Sequence, residues 1–144
     1  MIVYFDSSSI VKWFFDEPCA EIARSVKDEA DMSFTSLISY PEVLSAFRRA
    51  WTEKRCSKSN MEIVQSEFLR IWRDFRWIKT NEILILNTRE LIFRHGLRGY
   101  DAVHLASSLL LKEESHGMDI FFSCFDRHLN KAAKKEGLMI HELF

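Results

Sequence analysis

Ile2-Val3-Tyr4-Phe5-Asp6-Ser7-Ser8-Ser9 is the stretch on which the fold turns. Four consecutive apolar, β-prone residues with no polar alternation read as a strand buried on both faces. The run ends at Asp6, and Asp and Ser are the residue types that cap helix N-termini, so a helix through about Phe15 should follow. A doubly buried strand that runs straight into a helix is the first half of a βα unit.

The same alternation continues outward from this start. Pro18 restarts a helix to about Ala30, with Ile22 and Val26 four apart on one face, and Met32 to Ser36 reads as a second strand. A long helix follows to about Arg55, carrying Leu44, Phe47 and Trp51 at helical spacing. Residues 59–76 form another, with Val64, Phe68, Ile71, Trp72 and Phe75 along one wide stripe. Ile83-Leu84-Ile85-Leu86 fits strand or helix equally; Gly96 as a stop favours a helix from Thr80 to His95, after a short strand near Trp77–Lys79. Tyr100 to about Glu113 is apolar around most of its circumference and belongs in the interior. A strand at Asp119–Cys124, a helix at Asp126–Glu136 closed by Gly137, and a last strand at Leu138–His141 complete the chain. The pattern predicts a three-layer α/β/α domain over residues 1–144, with a short parallel sheet of about four to five strands. Ligands of such sheets bind beyond the carboxyl ends of the strands.

Composition narrows the classes. Of 144 residues 47% are hydrophobic and 28% charged, with only four Gly and two Pro, which excludes disordered and collagenous chains. No apolar run approaches membrane-spanning length, and Asp6 interrupts the N-terminal one, so neither a membrane span nor a signal peptide is expected. Cys19, Cys56 and Cys124 are odd in number and widely spaced, matching neither a disulfide framework nor a zinc site; reduced thiols in the cytoplasm are the simplest reading. The net charge of −1 hides an uneven distribution: residues 43–79 hold nine bases against four acids.

Asp6 and Asp126 each follow a strand directly, Glu42 falls near the start of the helix after the second strand, and Asp101 opens the most apolar helix. Gathered carboxylates repel one another unless a cation sits among them, and hard oxygen donors select Mg²⁺ or Mn²⁺. Each acid also has a local explanation. Asp6 and Asp126 serve as plain N-caps, Ser39-Tyr40-Pro41-Glu42 reads as a capping box, and Asp101 suits the positive end of a helix dipole. Spacing alone leaves the two readings level.

Three motifs break the tie. Asp6-Ser7-Ser8-Ser9-Ile10-Val11-Lys12 resembles the opening signature of PIN-domain nucleases, in particular VapC-like toxins of toxin–antitoxin pairs. Arg98-Gly99-Tyr100-Asp101-Ala102-Val103-His104-Leu105-Ala106 resembles the third acidic motif and is the more specific match. Ser123-Cys124-Phe125-Asp126-Arg127-His128-Leu129 resembles the closing one, and Ser36 followed by Glu42 fits the loose second motif. The likeness covers essentially the whole chain in order. One departure stands out: where many relatives carry Ser or Thr two positions before the last acid, this chain has Cys124, with Ser123 one position earlier and, in an extended strand, on the opposite face.

The resemblance implies a metal-dependent endoribonuclease that leaves 3′-hydroxyl and 5′-phosphate ends, with Mg²⁺ or Mn²⁺ as cofactor. Asp6, Asp101 and Asp126 would be direct or water-mediated metal ligands, and Glu42 a further ligand or the holder of a water on the ion. All four count as catalytic residues, with Ser8 and Ser123 as secondary polar contacts. Arg48, Arg49, Lys54 and Arg55 offer phosphate contacts to RNA, against the plainer reading of a solvated helix face. The aromatic stripe of Trp51, Phe68, Trp72, Phe75 and Trp77 is chiefly core. An antitoxin protein and a homodimer are the expected partners. His104, one turn beyond Asp101, reads first as a hydrogen-bonded structural histidine. The rival function is a catalytically silent module of the same fold that binds RNA or protein.

Overall fold

The strand expected at the N-terminus forms β1 (Ile2–Phe5), and the computed structural model, which describes residues 1–143, makes it an inner strand of a four-stranded sheet. In chain order there follow α1 (Ser7–Lys12), α2 (Ala20–Glu29), β2 (Met32–Ser36), α3 (Ser39–Thr52), α4 (Lys58–Trp72), β3 (Arg76–Ile78), α5 (Glu82–His95), α6 (Gly99–Glu114), β4 (Ile120–Ser123) and α7 (Arg127–Lys135). The sheet order is β3-β2-β1-β4, and every pairing is parallel.

Alternation along β1 divides the interior in two. Ile2 and Tyr4 enter one core with Leu105, Phe122 and Leu129, beneath α5, α6 and α7. Val3 and Phe5 enter the other with Ile10, Phe47 and Phe68, beneath α1 to α4. A side-chain period of two on a strand covered on both faces requires this split. The second core is aromatic: Trp13 stacks on Phe75 at 5.7 Å between ring centroids, and Phe47 and Phe68 meet edge to face at the same distance. Such pairs add about 0.5–1.5 kcal/mol each to the burial they already provide.

Several expected boundaries move. The first helix stops at Lys12 rather than near Phe15, because the backbone N–H groups of Trp13 and Phe14 bond three residues back and close the turn. The second begins at Ala20, after Cys19 takes a left-handed conformation (φ 68°); its buried face is Ala20, Ala23 and Val26, and Ile22 is exposed. The third ends at Thr52, with Lys54 turned left-handed at φ 58°. The fourth runs 58–72 rather than 59–76. The ambiguous Ile83–Leu86 run is helical, with Asn81 as N-cap and Gly96 at φ 65° as C-cap. The strand expected at Leu138–His141 is reduced to a single bridge, Phe121 to Met139. Of the aromatic stripe, Phe68 and Phe75 are buried, but Trp51 and Trp77 are exposed. Among the described residues no helix is long and apolar enough to cross a membrane.

Candidate active site

From β1 the chain proceeds outward to β2 and β3, then returns to place β4 on β1's other side. The strand order therefore reverses between β1 and β4, and the carboxyl ends of these two strands form the crevice where an open parallel sheet takes its ligand. Asp6 leaves β1 and Asp126 follows β4 at this point; the Asp6 N–H donates to the Ser123 carbonyl across the gap at 3.1 Å.

Both acids are N-caps, as local chemistry predicts. Asp6 Oδ1 accepts from the Ser9 N–H at 3.0 Å and from Ser8 Oγ at 2.7 Å, and Asp126 Oδ1 accepts from the Leu129 N–H at 2.8 Å. Capping uses only one oxygen of each. Neither cap uses Oδ2; beyond Ser8 and Ser9, the one further hydrogen-bonding group beside the Asp6 carboxyl among the described residues is the neutral Cys124 thiol. Ser8 stitches the two strand ends together, since its Oγ also accepts from the Phe125 N–H at 3.1 Å.

Glu42 is different. The capping box does not form: Ser39 Oγ and Thr35 Oγ1 bond one another at 2.7 Å, and Ile38, which makes no side-chain cap, begins the helix. Freed from the backbone, Glu42 Oε1 lies 2.7 Å from His104 Nε2. Asp101 stands in the first turn of α6, one turn before His104, with Arg98 Nε 3.6 Å from its carboxylate. The four acids thus come from four different helix starts, at one edge of the sheet.

Their electrostatics shows that they share a field. Burial pushes the Asp6 carboxyl above its ordinary range, and the opposing influence of His104 and of hydrogen bonds from Ser8 and Ser9 does not cancel that cost. Asp101 is raised by burial and then by the charge of Asp126, with Glu42 adding to it against Arg98 and His104. Burial alone would lower the His104 pKa, but the Glu42 hydrogen bond and the charges of Asp6, Glu42 and Asp101 outweigh it and hold the pKa up. Three of the acids thus act on the His104 imidazole, and Asp126 and Glu42 act on Asp101.

A groove of about 820 Å³ opens over it, with Ser8, Glu42 and Asp126 on its wall and Lys12, Arg49 and Tyr100 also lining it. Of the expected RNA contacts, Arg49 alone is in the groove. The Arg48 guanidinium covers the Trp51 ring at 4.6 Å, Arg55 pairs with Glu53 at 3.0 Å, and Lys54 occupies the exposed turn after α3.

Ser123 and Cys124 are distinguished by their partners. Ser123 Oγ is fully buried against Ser9 Oγ at 2.7 Å and His141 Nε2 at 3.1 Å, tying β4 to α1 and the C-terminal segment. Cys124 Sγ accepts from the Asp126 N–H at 3.3 Å and lies 3.9 Å from Ser8 Oγ. Burial, with Asp6 beside it, drives this thiol's pKa far up, so it is a neutral neighbour of the carboxylates rather than a nucleophile. Sequence reading missed Asn130, whose Nδ2 donates to the Cys124 carbonyl at 2.8 Å and the Asp126 carbonyl at 2.9 Å and so holds the last acid's loop. A polar residue one turn after a capping acid and beside Leu129 was the available signal.

Among the described residues, no group of three or more His, Cys, Asp or Glu side chains is set to grip a metal ion directly. The donor set nevertheless suits a hard divalent cation. Mg²⁺ keeps several waters and is bound through one or two carboxylates together with phosphate oxygens, and Asp6 and Asp126 each have one oxygen outside the helix cap for this.

Comparison with known proteins agrees with this geometry. The PIN domain family model matches residues 3–135. Ribonuclease VapC45 of Mycobacterium tuberculosis strain CDC 1551 / Oshkosh is 33% identical over 144 residues, covering 96% of this chain and 94% of that protein. Ribonuclease VapC49 of strain H37Rv gives the same values. Among solved structures, FitAcB from Neisseria gonorrhoeae superposes with a TM-score of 0.69 at 14% identity, over 98% of this chain and 97% of that one. PAE2754 from Pyrobaculum aerophilum gives 0.62 at 18%, over 97% and 83%. A sheet whose switch point is ringed by acids, a family match over nearly the whole length and relatives at one-third identity lead to one conclusion: this chain is a VapC-like member of the PIN domain family.

Proposed function

We propose that the chain is an Mg²⁺- or Mn²⁺-dependent endoribonuclease, the toxin of a toxin–antitoxin pair, acting in the cytoplasm as a homodimer. The observation that supports this reading is that Asp6, Glu42, Asp101 and Asp126 all stand at helix starts beyond the carboxyl ends of the strands, with Asp6, Glu42 and Asp101 all acting on His104 and Asp126 acting on Asp101. The names of the two VapC ribonucleases support the substrate class and the pairing with an antitoxin.

In this reading Asp6, Asp101 and Asp126 hold the ion, and Glu42 either joins them or orients a water beside it. The divalent ion, when bound, lowers the pKa of water and neutralises charge on the scissile phosphate. Arg49 and Lys12 attract the RNA backbone into the groove, although Lys12 is partly committed to Glu17 at 3.0 Å. Ser8 and Asn130 keep the two strand-end loops in register, so that Asp6 and Asp126 present a fixed pair of oxygens. Cys124 stays protonated and takes no part in proton transfer.

Incubating the purified chain with single-stranded RNA and Mn²⁺ tests this. Cleavage that leaves 5′-phosphate ends and disappears on chelation is expected; intact RNA in a well-folded sample would favour the silent binding module. Sedimentation of the same sample should give the dimer's mass, and a monomer would remove that part of the proposal.

A further inference from the structure

We propose that His104 is a positioning residue that holds the Glu42 carboxylate in place for the ion, clamping the two helical layers together at the carboxyl edge of the sheet. The proposal rests on the reading of these acids as a metal site. Glu42 belongs to α3, whose Val43, Phe47 and Ala50 pack in the aromatic core; His104 belongs to α6, whose Ala102, Leu105 and Ala106 pack in the other. Their 2.7 Å contact therefore links a helix of one layer to a helix of the other at the carboxyl edge of the sheet.

The imidazole is fixed from behind. Its side chain is 2% exposed, Tyr4 Oη lies 2.9 Å from Nδ1, and the Tyr4 ring stacks on Phe122 at 5.6 Å with the planes 8° apart. Phe122 on β4, Tyr4 on β1, His104 and Glu42 thus form one chain from the sheet to the groove. A carboxylate can only accept, so Nε2 carries a proton and donates to Glu42 whatever the ring's charge. Glu42 makes no other hydrogen bond among the described residues, and about a quarter of its side chain is exposed. Without His104 it regains the rotamer freedom that a free glutamate has in water. Partners behind a metal-holding group typically change affinity by about 10–100-fold when removed.

The test is Mn²⁺ uptake by the full-length chain, read from loss of the free-ion electron paramagnetic resonance signal, with thermal melts confirming that each variant folds. His104→Ala should weaken binding about tenfold. His104→Gln, whose amide can still donate to Glu42, should recover most of the loss. In a Glu42→Gln background, His104→Ala should add nothing, because an effect relayed through Glu42 vanishes with it. Wild-type affinity in both His104 variants, or a full additive loss in the Glu42→Gln background, overturns the proposal while leaving the metal site standing. A wild-type chain that takes up no Mn²⁺ sinks the metal reading and this proposal together.

Discussion

The molecule handles buried and half-buried carboxylates in two opposite ways. Where α5 and α7 end, Glu136 Oε1 accepts from Arg94 at 2.7 Å and His95 Nε2 at 2.6 Å, and Lys112 Nζ donates to the carbonyls of Glu136 and Gly137 at 3.2 and 2.8 Å. Burial would raise the Glu136 pKa, but His95 and Arg94 overcome it and hold the carboxyl below its ordinary range. At the carboxyl edge of the sheet, Asp6 and Asp101 are instead held above theirs. Both regions place an Arg and a His beside their acids. What differs is that Asp6 is buried and Asp101 has Asp126 and Glu42 next to it, whereas Glu136 is partly exposed and, among the described residues, has no acid acting on it. Glu136 is satisfied by its neighbours, whereas on the function proposed above the raised acids at the sheet edge would be relieved by a bound cation.

The sharpest way to break this contrast is to neutralise one acid on each side. Asp101→Asn should reduce RNA cleavage at least ~100-fold with the fold intact by circular dichroism, since hard-cation chemistry loses a ligand. Glu136→Gln should leave the cleavage rate within about twofold. Equal losses in both variants would erase the distinction.

In stability the ranking reverses. Glu136→Gln removes the negative charge on which Arg94 and His95 converge, and the melting midpoint without metal should fall by about 2–4 °C. Asp6→Asn, measured likewise, should lose less or even gain, because it removes a charge whose burial is poorly compensated.

The pH dependence should differ in sign. The raised Asp6 carboxyl binds its proton more tightly in the native chain than in the unfolded one, so its contribution to metal-free stability is lost as pH rises from about 3.9 through the raised native value. The depressed Glu136 carboxyl contributes above about 4.3, and that contribution is lost as pH falls through its lower native value. Urea unfolding from pH 3 to 7 on the two Asn and Gln variants separates the slopes; matching slopes would refute the assignment.

The smallest effect belongs to the groove's basic wall. Arg49→Ala should reduce the dependence of log affinity for single-stranded RNA on log salt by about 0.7, the value for one phosphate contact, and Arg48→Ala should leave it unchanged.

The sequence shows the two regions unequally. The β1 run and the four acids are legible because each obeys a local rule: apolar residues covering both strand faces, acids at helix starts. Met32–Ser36 is a strand with the expected bounds. Family motifs then single out four of the helix-start acids as the proposed site, something spacing could not decide. What escapes is whatever depends on distant neighbours. His104 is 62 residues from Glu42 and 100 from Tyr4, so its two hydrogen bonds have no sequence signal. The Glu136 knot spans 41 and 42 residues and is equally silent. Ser39 has the right type and spacing for a capping box, yet Thr35 on β2 takes its hydroxyl. The Leu138–His141 run forms a single bridge, Met139 to Phe121, with hydrogen bonds to Ile120 and Phe122, and does not extend into a strand.

One experiment reaches the central claim directly: the shift in melting midpoint on adding Mn²⁺ at pH 7. At about a hundredfold excess over the dissociation constant, binding stabilises the native state by about 2.7 kcal/mol, a rise of roughly 5–10 °C for a chain of this size. Wild type and Glu136→Gln should both show that rise, and Asp101→Asn should show almost none. A rise that survives in Asp101→Asn, or that is absent from the wild type, would contradict the account.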